Sequence, residues 1–263
     1  MLKVTGLAKW FGGLAAIQGL DFSVTKGELV GIIGPNGAGK TTLFNVISGF
    51  YKPTAGNVLF KGESLTGLKP HEIAARGAMR TFQSTTFLFR NLTVLDNVRV
   101  GSYLLGKTDL LRSLWGGRQS VERDENTLHQ AMSILDFVEL SDLKSHFAEN
   151  LPHGYRRILG VAVALAGKPE LLMMDEPTTG MNAQEVARMV EVIRKIQDRG
   201  VTILLVEHNM RVVMELCQRI IVLNFGKKLA EGTCEEIRSN PDVIQAYLGG
   251  KDAAHSTERD RSL

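Results

Sequence analysis

Apolar and polar residues change their spacing along the chain, and this change separates predicted strands from predicted helices. Leu2–Thr5 and Ile17–Val24 alternate between apolar and polar positions, as half-buried strands do, with Gly12-Gly13 as a turn between them. Glu28–Ile33 and Leu171–Met174 are short, mostly apolar runs, which is typical of strands buried on both faces. The pattern therefore predicts an α/β fold with several strands in its N-terminal part.

A helical insertion is predicted in the middle of the chain. Thr93–Lys107 has a helical pattern, and Asn126–Val138 repeats its apolar residues at the spacing of an amphipathic helix. We assign residues 88–165 to a helical subdomain, which interrupts a core formed by residues 1–87 and 166–249 of a single domain.

Composition and charge exclude few functions. The 263 residues are 44% hydrophobic and 22% charged, as in ordinary globular proteins, and the net charge of +3 is too small to indicate nucleic-acid binding. Cys217 and Cys234 cannot form a disulfide framework, so we expect free thiols in a reducing compartment.

We expect no signal peptide and no membrane-spanning helix, so any membrane role should come through a partner. The polar residues 250–263 are expected to form a disordered tail.

The stretch after the apolar run Glu28–Ile33 has the spacing G-x-x-x-x-G-K-[ST] of a phosphate-binding loop. Its residues are Gly34, Pro35, Asn36, Gly37, Ala38, Gly39, Lys40, Thr41 and Thr42. Glycines let the backbone curl so that its N–H groups point at phosphates, and the following helix adds its positive N-terminal end. Lys40 supplies a cation for the β and γ phosphates, and the Thr41 hydroxyl supplies a ligand for Mg²⁺. The sequence therefore predicts a nucleoside triphosphate site.

Two further predicted strands end in polar residues, at the edge where open α/β sheets bind ligands. The run Leu171–Met174 is followed by Asp175 and Glu176, and the run Thr202–Val206 leads to His208. Asp175 is predicted to orient the Mg²⁺ shell through water, and Glu176 to accept a proton from the water that attacks the γ-phosphate. His208 is predicted to sense the γ-phosphate.

One aromatic residue has two interpretations on the residues alone. Phe11 stands just before Gly12-Gly13, where its ring either stacks on an adenine or covers an edge of the core. The pattern by itself favours the core.

The remaining motifs follow one another in a recognisable order. After the phosphate loop come Gln83, the helical insertion, Asn150–Arg157, Met174–Thr178, Gly180–Asn182 and Glu207-His208. This order resembles the ATP-binding subunit of ABC transporters along nearly the whole chain. The resemblance implies a RecA-like P-loop NTPase core with an N-terminal antiparallel β region and an inserted α-helical subdomain, the ABC ATPase fold.

The same resemblance implies residue roles. Phe11 would stack on the adenine of ATP, and Gln83 would bind Mg²⁺. Glu176 would be the catalytic base of ATP hydrolysis, His208 the switch histidine, and Gly180–Asn182 the loop that crosses a nucleotide-sandwich dimer.

Within the family, the chain is most similar to ATPases of branched-chain amino acid importers. The stretches that carry this likeness are Phe11–Leu14, Gly49–Thr54, Arg80–Gln83, the insertion around 103–125, and Asn240–Gly249. The likeness implies a peripheral protein on the cytoplasmic face of the inner membrane, which energises import of a small polar solute through separate integral membrane permease subunits. A solute-binding protein would be an indirect partner. Urea importers and lipopolysaccharide exporters have similar ATPases and remain alternatives.

The signature motif departs from the family pattern. The family has Leu-Ser-Gly-Gly-Gln, whereas this chain has Leu151, Pro152, His153, Gly154 and Tyr155, of which only the first and fourth match. In the family this motif holds the γ-phosphate of the ATP on the opposite subunit. We therefore expect a weak contribution in trans and predict a heterodimer with a second ATPase subunit, with a homodimer as the alternative.

Three other interpretations stay open. A soluble ABC-type ATPase acting on nucleic acid would usually carry paired cassettes or a long coiled coil, and neither pattern is present. A regulatory subunit with little turnover is the second. Finally, Phe87-Leu88-Phe89 could supply apolar anchors for a permease helix or fill the core of the subdomain.

Overall fold

The computed structural model describes residues 1–81, 88–103 and 118–247, with no side chains described for 103–124. The chain divides into two compact units. Unit 1 contains Met1–Pro70 and the chain from Thr202 onward, and unit 2 contains His71–Val201. Gln83, Phe87 and the predicted tail lie outside the described residues, and the predicted bounds of the helical subdomain stay a prediction.

The elements follow the predicted order. The strands are β1 (Leu2–Phe11), β2 (Leu14–Val24), β3 (Leu29–Ile33), β4 (Ala55–Phe60), β5 (Glu63–Ser64), β6 (Ala78–Thr81), β7 (Leu171–Asp175), β8 (Thr202–Val206), β9 (Arg219–Asn224) and β10 (Lys227–Gly232). The described helices are α1 (Lys40–Ile47), α2 (Pro70–Ala75), α3 (Val94–Tyr103), α4 (Arg118–Phe137), α5 (His153–Ala166), α6 (Ala183–Asp198), α7 (Met210–Leu216) and α8 (Cys234–Ser239). A further helical stretch covers 241–247.

Unit 1 contains an antiparallel sheet in the order β2-β1-β4-β5. Leu2, Val4 and Leu7 of β1 are buried, whereas the residues between them are mostly exposed. This alternation is the one read from the sequence, and it confirms that the N-terminal part forms surface strands with one face on the core.

The second group of strands in unit 1 has the order β10-β9-β3-β8. β3 is buried along its length and pairs in parallel with both β8 and β9, while β10 returns antiparallel to β9. Because Ile32 is in register with Val206, the residues that follow β3 and β8 leave the strands at the same edge. That edge carries the phosphate loop and His208.

Unit 2 combines the parallel pair β6 and β7 with helices α3 to α6 and with α2 from its second residue onward. α3 begins after Thr93, whose hydroxyl accepts a hydrogen bond from the Asp96 N–H at 3.1 Å. α4 begins eight residues before the predicted start at Asn126. Its first part is too polar to show an apolar period, but its glutamates, arginines and glutamine favour a helix. None of the described helices is long and apolar enough to cross a bilayer.

Candidate active site

The phosphate loop joins the C-terminal end of β3 to α1, as predicted. Gly34 has φ 153°, and a Cβ added there would lie 2.1 Å from the Leu223 carbonyl oxygen. Gly39 caps α1 in the left-handed region at φ 103°, and an added Cβ would lie 2.5 Å from the Ala16 carbonyl oxygen. Both contacts are with backbone atoms that cannot move aside cheaply, so only glycine fits at these two positions.

The lysine of the loop is buried and folded back over it. Lys40 Nζ donates hydrogen bonds to the carbonyl oxygens of Gly34 at 2.7 Å and Pro35 at 3.0 Å. Carbonyl oxygens are neutral acceptors, so a phosphate would be a stronger partner for the ammonium group. Thr41, the predicted magnesium ligand, is exposed in the first turn of α1.

A turn that the sequence did not single out braces the phosphate loop. The backbone N–H of Gly226, between β9 and β10, donates to the Ala38 carbonyl oxygen at 3.1 Å, and the Gly226 carbonyl oxygen accepts from the Gln18 N–H at 2.8 Å. The loop is therefore tied through Gly226 to β2 as well as to its own strand. No local sequence signal could have revealed these contacts, because more than 180 residues separate their partners.

At the end of β8, a buried carboxylate shapes the turn that carries His208. Glu207 Oε2 accepts hydrogen bonds from the backbone N–H groups of His208 at 3.0 Å and Asn209 at 3.2 Å. Asn209 in turn caps α7 by accepting from the Arg211 N–H at 3.1 Å. The imidazole of His208 is exposed at the edge where the phosphate loop also begins. Its role as a γ-phosphate sensor stays a prediction.

In unit 2, β7 ends in the two predicted carboxylates. Asp175 is buried, and its Oδ2 accepts a hydrogen bond of 2.6 Å from Nη2 of Arg80. Glu176 is half-buried and has φ 47°, a left-handed conformation that costs a non-glycine residue about 1–3 kcal/mol. The Thr179 hydroxyl donates to Glu176 Oε2 at 3.2 Å. Such strain at the end of a strand is typical of functional sites, which supports the predicted role of Glu176 as the base.

The carboxylate oxygens of Asp175 are suitable ligands for a magnesium site. Its Oδ1 is buried and has no hydrogen-bond partner among the described residues. A buried carboxylate oxygen needs a donor or a cation, and carboxylates and hydroxyls are oxygen ligands of the kind that Mg²⁺ takes.

The signature residues Leu151 to Tyr155 lie at the start of α5. The imidazole of His153 lies close to Gly180. A Cβ added to Gly180 would be only 3.1 Å from His153 Cε1. Burial and the Arg157 and Arg156 guanidinium groups lower the pKa of His153 below its usual value of 6.5, so the ring is neutral at pH 7. Pro152, the N-cap of α5, makes no side-chain cap hydrogen bond. Pro152 and His153 therefore supply neither a charge nor a capping hydrogen bond in place of the serine hydroxyl of the family pattern.

Glu185 connects the signature to the predicted loop Gly180–Asn182. Its Oε1 accepts from the Gly154 N–H at 3.2 Å, and its Oε2 accepts from the Asn182 N–H at 3.0 Å. The Asn182 side chain accepts from the Glu185 N–H at 3.0 Å, which completes a capping box at the start of α6. The spacing Asn182-x-x-Glu185 was a signal in the sequence that we did not use, although it would not have revealed the contact with Gly154.

The predicted adenine-stacking residue lies at the end of β1. The Phe11 ring is 42% exposed and meets Tyr51 edge-on, with 5.2 Å between ring centroids. Lys9 Nζ lies 4.9 Å from the Phe11 ring centroid. A partly exposed ring fits both interpretations, because it can cover an edge of the core or stack on an adenine. Adenine stacking stays a prediction.

Comparison with known proteins gives the family. The family model described as "ABC transporter" matches residues 17–179. The chain belongs to the ABC transporter family of ATP-binding proteins. It is 42% identical over 250 residues to LivG of Escherichia coli K12 and 40% identical over 250 residues to BraF of Pseudomonas aeruginosa, both named high-affinity branched-chain amino acid transport ATP-binding proteins. Each match covers 95% of this chain and 98% of the relative.

Solved structures agree with this assignment. An ATP-binding cassette of an ABC transporter, solved in its ADP conformation, matches with a TM-score of 0.82 at 31% identity over 95% of this chain and 98% of that one. The model described as "Branched-chain amino acid ATP-binding cassette transporter" matches residues 227–253. These comparisons confirm the predicted ABC ATPase fold, the predicted ATPase activity and the resemblance to the branched-chain importer type.

Replacing Lys40 with alanine tests the phosphate loop. The variant loses the buried ammonium group, and a charge-assisted hydrogen bond contributes about 1.5–3 kcal/mol, so we expect ATP affinity to fall at least tenfold. Equilibrium binding of ATP measures the change, with Lys26→Ala, an exposed lysine in a turn, as the matched control. Equal affinities for the two variants would contradict the assignment.

The contact between Gly154 and Glu185 predicts a specific steric effect. A Cβ at Gly154 would lie 2.5 Å from Glu185 Cδ, so Gly154→Ala should lower the free energy of unfolding by about 1–3 kcal/mol. Urea unfolding should show a smaller loss when Glu185→Ala is already present, because the two side chains then no longer collide. Gly13→Ala, which has open space around it, is the control. Strictly additive losses would exclude the collision.

Proposed function

We propose that this chain hydrolyses ATP to energise the import of branched-chain amino acids through separate integral membrane permease subunits. The observation that carries the proposal is the end-to-end identity of 40–42% with two relatives named for branched-chain amino acid transport. The match of residues 227–253 to a branched-chain transporter model supports it independently, since this stretch lies beyond the part matched by the general ABC model. The chain would act on the cytoplasmic face of the inner membrane, held there by its permease.

The proposed chemistry assigns one task to each residue. Lys40 and the loop N–H groups hold the phosphates of ATP, and Phe11 stacks on the adenine. Glu176 accepts the proton of the attacking water, a step in which a positioned base contributes about 10²–10⁴-fold. His208 contacts the γ-phosphate and reports its loss.

Magnesium would be held by the Thr41 hydroxyl, by Gln83 and, through water, by Asp175. When bound, the ion neutralises charge on the phosphates during transfer. The buried Oδ1 of Asp175, which lacks a hydrogen-bond partner among the described residues, supports this assignment.

A permease contact is proposed near Phe89. Leu88 is buried and belongs to the core, so of the described pair only the half-exposed Phe89 could serve as an anchor. Buried Asn97 holds Phe89 in place, donating to its carbonyl oxygen at 3.0 Å and accepting from its N–H at 2.9 Å. An aromatic ring presented on a fixed backbone suits a docking contact.

The second ATPase subunit is proposed to be a different chain. Pro152 offers no hydroxyl, and neutral His153 offers no positive charge, so the signature of this chain is a poor ligand for a γ-phosphate. A partner ATPase with a serine-containing signature would complete the site that uses Lys40 and Glu176. The partner's own phosphate loop would face the weak signature.

The proposal predicts the behaviour of Glu176→Gln. Loss of the base should leave ATP bound while phosphate release falls by about 10²–10⁴-fold. In vesicles that contain the permease, with the solute-binding protein added, leucine uptake should stop as well. Glu191→Gln, an exposed carboxylate on α6, is the control for the change of charge. Normal ATP hydrolysis by Glu176→Gln would refute the base, and uptake of urea instead of leucine would refute the cargo.

The heterodimer predicts an asymmetry between the two ATPases. Glu176→Gln in this chain should reduce transport far more than the equivalent substitution in the partner subunit, because only the first disables the site that faces a good signature. Transport rates of the two complexes, assembled with one altered subunit each, measure the difference. Equal losses, or rapid hydrolysis by this chain alone, would favour a homodimer.

A further inference from the structure

Arg80 and Asp175 form a buried ion pair in unit 2. Arg80 lies on β6 and Asp175 ends β7, and the two strands are parallel with Arg80 in register with Met173. Nη2 of Arg80 lies 2.6 Å from Oδ2 of Asp175, and the two side chains are only 8% and 2% exposed. The guanidinium group therefore reaches along the sheet to the end of the neighbouring strand.

Stability alone does not explain this buried ion pair. Removing two charges from water costs several kcal/mol, and replacing a buried ion pair by apolar residues of similar size is often neutral or stabilising. The rest of β7 is apolar and buried, so an apolar pair would suit this position. A buried charged pair at the ligand-binding end of a strand points to a function for its geometry.

Arg80 contacts one of the two carboxylate oxygens of Asp175. Oδ2 accepts from Arg80, whereas Oδ1 is buried and has no hydrogen-bond partner among the described residues. A carboxylate on a short side chain can rotate about the bond that carries it, and this rotation changes the direction in which each oxygen points. The strong, charge-assisted bond from Arg80 to one oxygen fixes the plane of the carboxylate and with it the direction of the other oxygen.

We propose that Arg80 is a positioning residue, which fixes the orientation of Asp175 so that Oδ1 is held ready for the water shell of Mg²⁺. The inference rests on the proposed magnesium role of Asp175. A residue that positions the carboxylate should act on the contribution of the metal to ATP binding and leave metal-free ATP binding unchanged.

Equilibrium binding of ATP to the full chain, with Mg²⁺ and with EDTA, tests the inference. For Arg80→Met we expect the gain in affinity that Mg²⁺ provides to fall about tenfold, with affinity in EDTA within twofold of the unaltered chain. Arg80→Lys keeps a cation but lacks the planar fork, so it should show a smaller fall. Arg80→Lys also provides the test if Arg80→Met does not fold. Arg99→Met, which removes a more exposed ion pair on α3, should leave both affinities unchanged.

The possible outcomes distinguish failure of the positioning role from failure of the magnesium role on which it rests. An unaltered chain whose ATP affinity ignores Mg²⁺ would contradict the magnesium role itself. A normal magnesium gain in the unaltered chain that persists in both Arg80 variants would overturn the positioning role alone, even if their unfolding temperatures fall. A larger magnesium gain in Arg80→Met would also overturn it, because Arg80 would then compete with the metal.

Discussion

The phosphate loop depends on backbone packed directly against backbone. The Gly34 Cα faces the Leu223 carbonyl oxygen of β9, and Gly39 faces the Ala16 carbonyl oxygen of β2, with no room for a side chain in either place. The hydrogen bond from Gly226 to Ala38 closes the loop from a third side. Strands from distant parts of unit 1 therefore hold the loop in its curved shape, and such pre-organisation lowers the cost of ordering the chain when a ligand binds.

Three buried charged residues of the described ranges stand at or after the ends of strands. Lys40 follows β3, Asp175 ends β7 and Glu207 follows β8, whereas Arg80, the partner of Asp175, lies within β6. Each of these three groups has a short polar contact with its own unit: loop carbonyls for Lys40, Arg80 for Asp175 and two backbone N–H groups for Glu207. Buried charges are tolerated only with such contacts, so the fold accepts a cost at these edges that an apolar core would avoid. Lys40 and Asp175 are proposed to handle phosphate and metal, and Glu207 shapes the turn that carries His208.

The two motifs that are predicted to face nucleotides differ in how much of the family pattern they keep. The phosphate loop keeps its glycines and its lysine, with Gly34 and Gly39 at positions that fit only glycine and Lys40 folded back over the loop. The signature has kept Leu151, which is buried, and Gly154, which Glu185 approaches closely, and it has lost the serine hydroxyl to Pro152. Packing within unit 2 therefore accounts for the two residues that match the family pattern.

The sequence alone determined the phosphate loop, the apolar strands and the polar residues at their ends. It could do so because these features are local: a loop motif spans nine residues, and a buried strand shows itself by a short apolar run. The alternation in β1 belongs to the same class.

Tertiary structure decided which distant residues support those local features. Arg80 and Asp175 are 95 positions apart, Gly154 and Glu185 are 31 apart, and Gly226 reaches back to Ala38. One sequence contains no periodic or motif signal for pairs brought together by parallel strands and packed helices, since their spacing is set by chain topology.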